Sequence, residues 1–124
     1  MGEGEERSDV RGCVAVAVVE GSDVSAAVGE HFGRSPRFLL VRGSGQDVQA
    51  LDNSYAEAPS GAGPATASLP QRNGVTVVLA GRFGPKAEDA LRAGGIRPVV
   101  VAPGTRVSTA LAGLPAEMHQ ATAD

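Results

Sequence analysis

Two short apolar runs constrain this chain more than any other feature. Cys13-Val14-Ala15-Val16-Ala17-Val18-Val19 has no charged or amide side chain, and Val75-Thr76-Val77-Val78-Leu79-Ala80 carries a single hydroxyl. Such β-branched runs, too short for buried helices and without alternation, read as strands buried on both faces. A sheet with strands of this kind at its centre must be covered above and below, and helices supply the cover.

The rest of the pattern meets that demand. Arg37-Phe38-Leu39-Leu40-Val41 and Val48-Gln49-Ala50-Leu51-Asp52 read as strands joined by a tight Gly43-Ser44-Gly45 turn. Residues 20–36 form a long loop with a helical turn at Val24–Val28, and 53–64 a second loop rich in Gly, Pro, Ser and Ala. Pro64 suits the first turn of a helix over 64–72, which Pro70 is expected to kink or shorten. Behind Gly84-Pro85, Ala87, Ala90, Leu91 and Gly94 keep the i, i+3, i+4, i+7 spacing of a helix that Gly94-Gly95 closes. Ile96–Ala102 is the last strand, and Pro98, unable to donate to a ladder, assigns it to a sheet edge. Val107, Ala110, Leu111 and Leu114 repeat the helical spacing, with Thr105 as cap.

The order β-β-β-α-β-α-β-α is an antiparallel meander followed by right-handed crossovers. The expected fold class is therefore α/β. It has three layers, α/β/α, around a five-stranded mixed sheet of order 3-2-1-4-5 with strand 2 antiparallel, a ribonuclease-H-like layout. Chain direction reverses beside strand 1, so the crevice between the carboxyl ends of strands 1 and 4 is the expected ligand site. The 20–36, 53–63 and 81–84 loops gather on that rim.

At 124 residues the chain can build one core but not two. The expected division is a disordered lead at 1–11, one domain at 12–114 and a flexible tail from 115 to 124. Of the net charge of −3, the lead holds −2, from four acids and two bases, so the body is nearly neutral. That balance gives no case for nucleic acid, which calls for a basic patch. No apolar run approaches the roughly 20 residues that span a bilayer, so no membrane partner is expected. The acidic start is unlike a signal peptide, and Glu6 stands where a myristoylation signal needs Ser or Thr. The expected location is the cytoplasm.

The one cysteine, Cys13, excludes an intrachain disulfide and a self-contained four-thiolate metal or iron–sulfur site. It opens a buried strand, as a small core residue does. A nuclease needs clustered carboxylates for two metals, yet strand 1 has none and Asp52 has no acidic partner in view. Elbow, Walker-loop and His/Cys nucleophile signatures are also missing. These observations point away from an enzyme.

The chemistry concentrates in His31-Phe32-Gly33-Arg34-Ser35-Pro36-Arg37-Phe38, which places one of two histidines beside a glycine and a guanidinium. His31 can ligate or donate, Gly33 permits close backbone approach, and Arg34 can neutralise oxygen or sulfide charge. Equally, the imidazole can cap its loop and Arg34 can be a solvated surface residue. Gly61 and Gly63 precede a helix, whose free N–H groups and dipole favour anions; a plain loop-to-helix entry needs the same glycines. Gly81-Arg82-Phe83-Gly84 repeats the theme, and a sharp turn accounts for its glycines but not for Arg82. His119, in the tail, has no assigned role.

His31-Phe32-Gly33-Arg34-Ser35-Pro36, then Asn53, Gly61-Ala62-Gly63, Ala80-Gly81-Arg82-Phe83-Gly84-Pro85-Lys86-Ala87, Leu91 and Gly95-Ile96 recur in this order in one family. The chain thereby resembles, over 13–112, the dinitrogenase iron-molybdenum cofactor biosynthesis family of the NifX/NifB C-terminal type. The resemblance implies a ribonuclease-H-like fold and a role in binding or carrying the iron–molybdenum cofactor or iron–sulfur precursors. It implies cofactor contacts at His31, Gly33, Arg34, Asn53, Gly61, Gly63, Arg82 and Gly84, with His31 as metal ligand. Cofactor assembly proteins are the implied partners. One cysteine and one histidine cannot build a cluster, but they can hold a preassembled one loosely. The rival expectation is a metal-free protein-interaction or regulatory module.

Overall fold

The computed structural model describes residues 13–42 and 47–114. The expected lead at 1–11, the tail at 115–124 and the Gly43-Ser44-Gly45 turn lie outside the described residues. Five strands, β1 (Val14–Val18), β2 (Arg37–Arg42), β3 (Asp47–Asp52), β4 (Val77–Ala80) and β5 (Arg97–Val100), form one sheet. Three helices accompany them: α1 (Ala62–Arg72), α2 (Pro85–Ala93) and α3 (Val107–Ala112).

The sheet order is β3-β2-β1-β4-β5, as the sequence leads one to expect. β1 pairs antiparallel with β2 (Val16 opposite Leu39) and parallel with β4 (Val16 opposite Leu79). All five residues of β1 and all four of β4 are buried, the consequence of two apolar strands with a layer on each face. Alternate side chains part the core in two. Ala15, Ala17, Phe38, Leu40, Val78 and Ala80 pack with Phe32 and with Ala67, Leu69, Ala87 and Leu91 of α1 and α2. Val14, Val16, Val18, Leu39, Val41, Val77 and Leu79 pack instead with Val28 and with Val107, Ala110 and Leu111 of α3. β5 pairs only with β4, Pro98 opposite Val78, so the proline does stand on an edge strand.

Three local expectations are corrected. Pro70 does not cut the helix short: α1 starts at Ala62 and runs through Pro70 to Arg72. Pro70 sits in the last turn, where Asn73 repairs the end; its Nδ2 donates to Leu69 O at 2.7 Å, and its N–H and that of Val75 donate to Pro70 O. Thr105 does not cap α3. Arg106 holds the N-cap position without a side-chain bond, and the Val107 and Ser108 N–H groups donate to the carbonyls of Ala26 and Val24. The same contacts explain why Val24–Val28 makes no helical turn, since Ala27 and Val28 instead bridge Arg106 and Val18 in β fashion.

Candidate functional site

The crevice at the carboxyl ends of β1 and β4 is closed by the chain itself. Gly29 N–H donates to Ala17 O, Gly81 N–H to Gly29 O and Phe32 N–H to Arg82 O, so residues 28–32 bridge the two strand ends. His31 and Arg82 form a parallel bridge there. The expected crevice site is thus displaced sideways, onto the starts of α1 and α2.

A groove of about 420 Å³ opens at that point, and seven of the eight expected residues line it. His31, Gly33 and Arg34 come from the 28–36 segment, Gly61 and Gly63 from the start of α1, Arg82 and Gly84 from the start of α2. Asn53 is not brought to the surface of the groove. It lies buried beneath, 6% exposed, with its amide committed to neighbouring backbone and to Thr66.

The glycines serve the protein's own packing. A Cβ on Gly33 would meet Gly63 Cα at 2.8 Å, and one on Gly63 would meet Ala87 Cβ at 3.0 Å. The His31–Arg34 turn, α1 and α2 are therefore packed closely together, with no room for a side chain at Gly33 and little at Gly63. Gly61 differs, for it caps α1 with φ 73°, a left-handed backbone that suits glycine, and a Cβ there would face open space.

Both helix starts are bare. Neither Gly61 nor Gly84 offers a side-chain cap. The first backbone bonds into each helix come from Ala65 N–H to Gly61 O and Glu88 N–H to Gly84 O. Pro64 and Pro85 have no donor, which leaves the N–H groups of Ala62, Gly63, Lys86 and Ala87 without an intrahelical partner. Two positive helix ends thus meet at one groove, and the side chains beside them are Arg34, Arg82, Lys86 and His31. No carboxylate is among the described lining residues, although Glu30 Oε2 lies 3.8 Å from His31 Nε2.

The cations are not equivalent. Arg34 Nη1 donates to the carbonyls of Ala56 and Ala58, so this guanidinium ties the 53–60 loop to the groove. None of the ion pairs among the described residues involves Arg82 or Lys86, and both are exposed. Lys86 was not among the expected contacts. Its signal was nonetheless in the sequence, as the only lysine among eleven basic residues, one step after a Gly-Pro helix start. Phe32 lies under the floor, fully buried against Phe38 and Phe83 at centroid distances of 5.4 and 5.3 Å.

Two other candidates are set aside by geometry. Cys13 is buried at the start of β1, the end of the sheet away from the groove, and burial pushes its thiol up against the opposing pull of Arg42. It should therefore alkylate slowly at pH 8 while folded, and fast in denaturant. Rapid modification of the native protein by iodoacetamide would show the thiol to be open. Asp52 is paired with Arg37 across the β2–β3 ladder at 3.2 Å, its partner basic rather than acidic.

Among the described residues, no group of three or more His, Cys, Asp or Glu could hold a metal ion. None of their helices is long and apolar enough to cross a membrane. The model of one protein family, described as dinitrogenase iron-molybdenum cofactor, matches residues 12–116. Among solved structures, the apo form of the orange protein from Desulfovibrio gigas is 30% identical, with a TM-score of 0.77 over 82% of this chain and 85% of that one. A Thermotoga protein of the DUF35 family, with a provisional NifB assignment, is 29% identical with a TM-score of 0.67 over 82% and 84%. No curated protein sequence matches the chain.

Proposed function

The chain belongs to the dinitrogenase iron-molybdenum cofactor family, and on that premise we propose that its groove receives an anionic metal–sulfur cofactor already assembled elsewhere. The cargo is the iron–molybdenum cofactor or an iron–sulfur precursor of it. The observation that carries this reading is the convergence of two uncapped helix starts with Arg82, Lys86, Arg34 and His31 in one groove.

The donor set suits holding rather than building. Backbone N–H groups and cations bind the outside of an anion, its sulfides or acid groups, without replacing its own ligands. His31 is the one lining side chain able to reach an exposed metal. Apart from a reversible bond from His31 to metal, no bond of the cargo need be made or broken, so the protein acts as a non-enzymatic carrier. Contacts that are electrostatic and few release their load readily, and cofactor assembly proteins on either side of the transfer are the partners this implies. The cytoplasm is the compartment in which such a carrier would work.

The experiment is anaerobic titration with isolated iron–molybdenum cofactor, and in parallel with ferrous iron and sulfide, read by visible absorption of the gel-filtered protein. Uptake is expected, weakening as salt rises because the groove is open to solvent. A charge-assisted contact is worth about 1.5–3 kcal/mol, so Arg82→Ala or Lys86→Ala should each weaken uptake about tenfold or more. Uptake by neither route would leave the metal-free interaction module as the better reading.

A further inference from the structure

We propose that Asn53 and Thr66 form a positioning clamp that fixes the His31–Arg34 turn over the start of α1. The inference rests on the carrier reading for its consequence, though not for its geometry.

Asn53 and Thr66 are 6% and 0% exposed, and both are polar. Their bonds close without a spare donor. Asn53 Nδ2 donates to Ser35 O at 2.8 Å and to Thr66 Oγ1 at 3.1 Å, and the Thr66 hydroxyl donates to Gly33 O at 3.2 Å. Asn53 Oδ1 accepts the Tyr55 N–H at 3.0 Å, and the Asn53 N–H donates to Pro36 O at 2.9 Å. One amide and one hydroxyl thus join β2's entry, the 53–60 loop and α1.

The turn needs that help. Its own backbone bond, Ser35 N–H to Phe32 O, is long at 3.4 Å. The carbonyls of Gly33 and Ser35 have instead been given to Asn53 and Thr66. Since Gly33 presses on Gly63, whatever orients the Gly33 peptide also sets where His31 and Arg34 stand relative to the Ala62 and Gly63 N–H groups. The pair touches no groove surface and so acts through the turn. The chemistry is specific. Aspartate has the shape of asparagine but turns an oxygen toward the Ser35 carbonyl, and toward that of Gly33 at 3.5 Å, and valine has the shape of threonine but gives Gly33 nothing.

The test uses the full chain. Amide chemical shifts of residues 31–34 and 61–63 are compared between wild type and Asn53→Asp, Thr66→Val and Thr66→Ser, each well below its thermal midpoint. Affinity for isolated iron–molybdenum cofactor is measured on the same samples. The clamp predicts displaced shifts at both stretches in Asn53→Asp and Thr66→Val, with about tenfold weaker uptake, and near-wild-type values for Thr66→Ser, which keeps the hydroxyl. Should Asn53→Asp fail to fold, Thr66→Val carries the comparison. Unmoved shifts in a folded Thr66→Val overturn the clamp whether or not cofactor binds. Displaced shifts in a protein whose wild type takes up no cofactor uphold the clamp and sink the carrier reading.

Discussion

Phe32→Ala should cost about 3–5 kcal/mol of folding stability, the usual price for deleting a buried phenylalanine ring. The ring is fully buried and stacks tilted against Phe38 of β2 and Phe83 beside α2, in the cluster that joins the sheet to α1 and α2. Aromatic pairs of this kind contribute beyond the area they bury. The backbone of Phe32 is held as well, by its N–H to Arg82 O at 3.0 Å, so collapse around the vacancy is restricted and a cavity remains. For a domain of this size the loss corresponds to a thermal midpoint lower by about 10–20 °C. Urea unfolding followed by far-ultraviolet circular dichroism measures it. A midpoint within experimental error of wild type would show that the His-Phe-Gly-Arg turn is not anchored in the core.

That residue also shows what could be read from the sequence and what could not. Strand positions were legible because burial on both faces leaves a mark at every residue of β1 and β4. Strand order followed, since a tight meander and right-handed crossovers leave few alternatives, and Pro98 pinned one edge. Seven groove residues were legible for a related reason: the loops that carry them all leave the same end of the sheet.

Contacts between distant backbones left no such mark. A glycine in a loop shows that a side chain is absent without showing what comes near. Gly33 permits close backbone approach, and the backbone that comes near it is that of Gly63. Asn53 belongs to the same class, because motif order says that an asparagine is required but not whether it faces cargo or carbonyls. The end of α1 was placed correctly at Arg72, but Asn73, just past it, satisfies the last-turn carbonyls and lets the helix run through Pro70; at α3 the N–H groups of Val107 and Ser108 are taken by the distant carbonyls of Ala26 and Val24, so Thr105 is not needed as a cap.

His31→Ala should separate binding from stability at the position next to Phe32. Its imidazole is 45% exposed, and the carboxylate beside it is that of Glu30, with Oε2 3.8 Å from Nε2. An exposed pair at that distance contributes at most a fraction of a kcal/mol, so the thermal midpoint should stay near wild type. Uptake of isolated iron–molybdenum cofactor should nonetheless fall about 10- to 100-fold, the loss typical when a metal site is deprived of a ligand or of a residue supporting one. His31 is the ligand-capable side chain of the groove, held by the bridge to Arg82, with bare helix ends and cations around it. His31→Gln keeps a hydrogen-bonding group but not a metal-binding nitrogen. If Gln restores uptake, the imidazole donates to a sulfide or acid group rather than binding metal. Full affinity in a folded His31→Ala protein removes His31 from the site, and a lowered midpoint identifies it as a cap of its own loop.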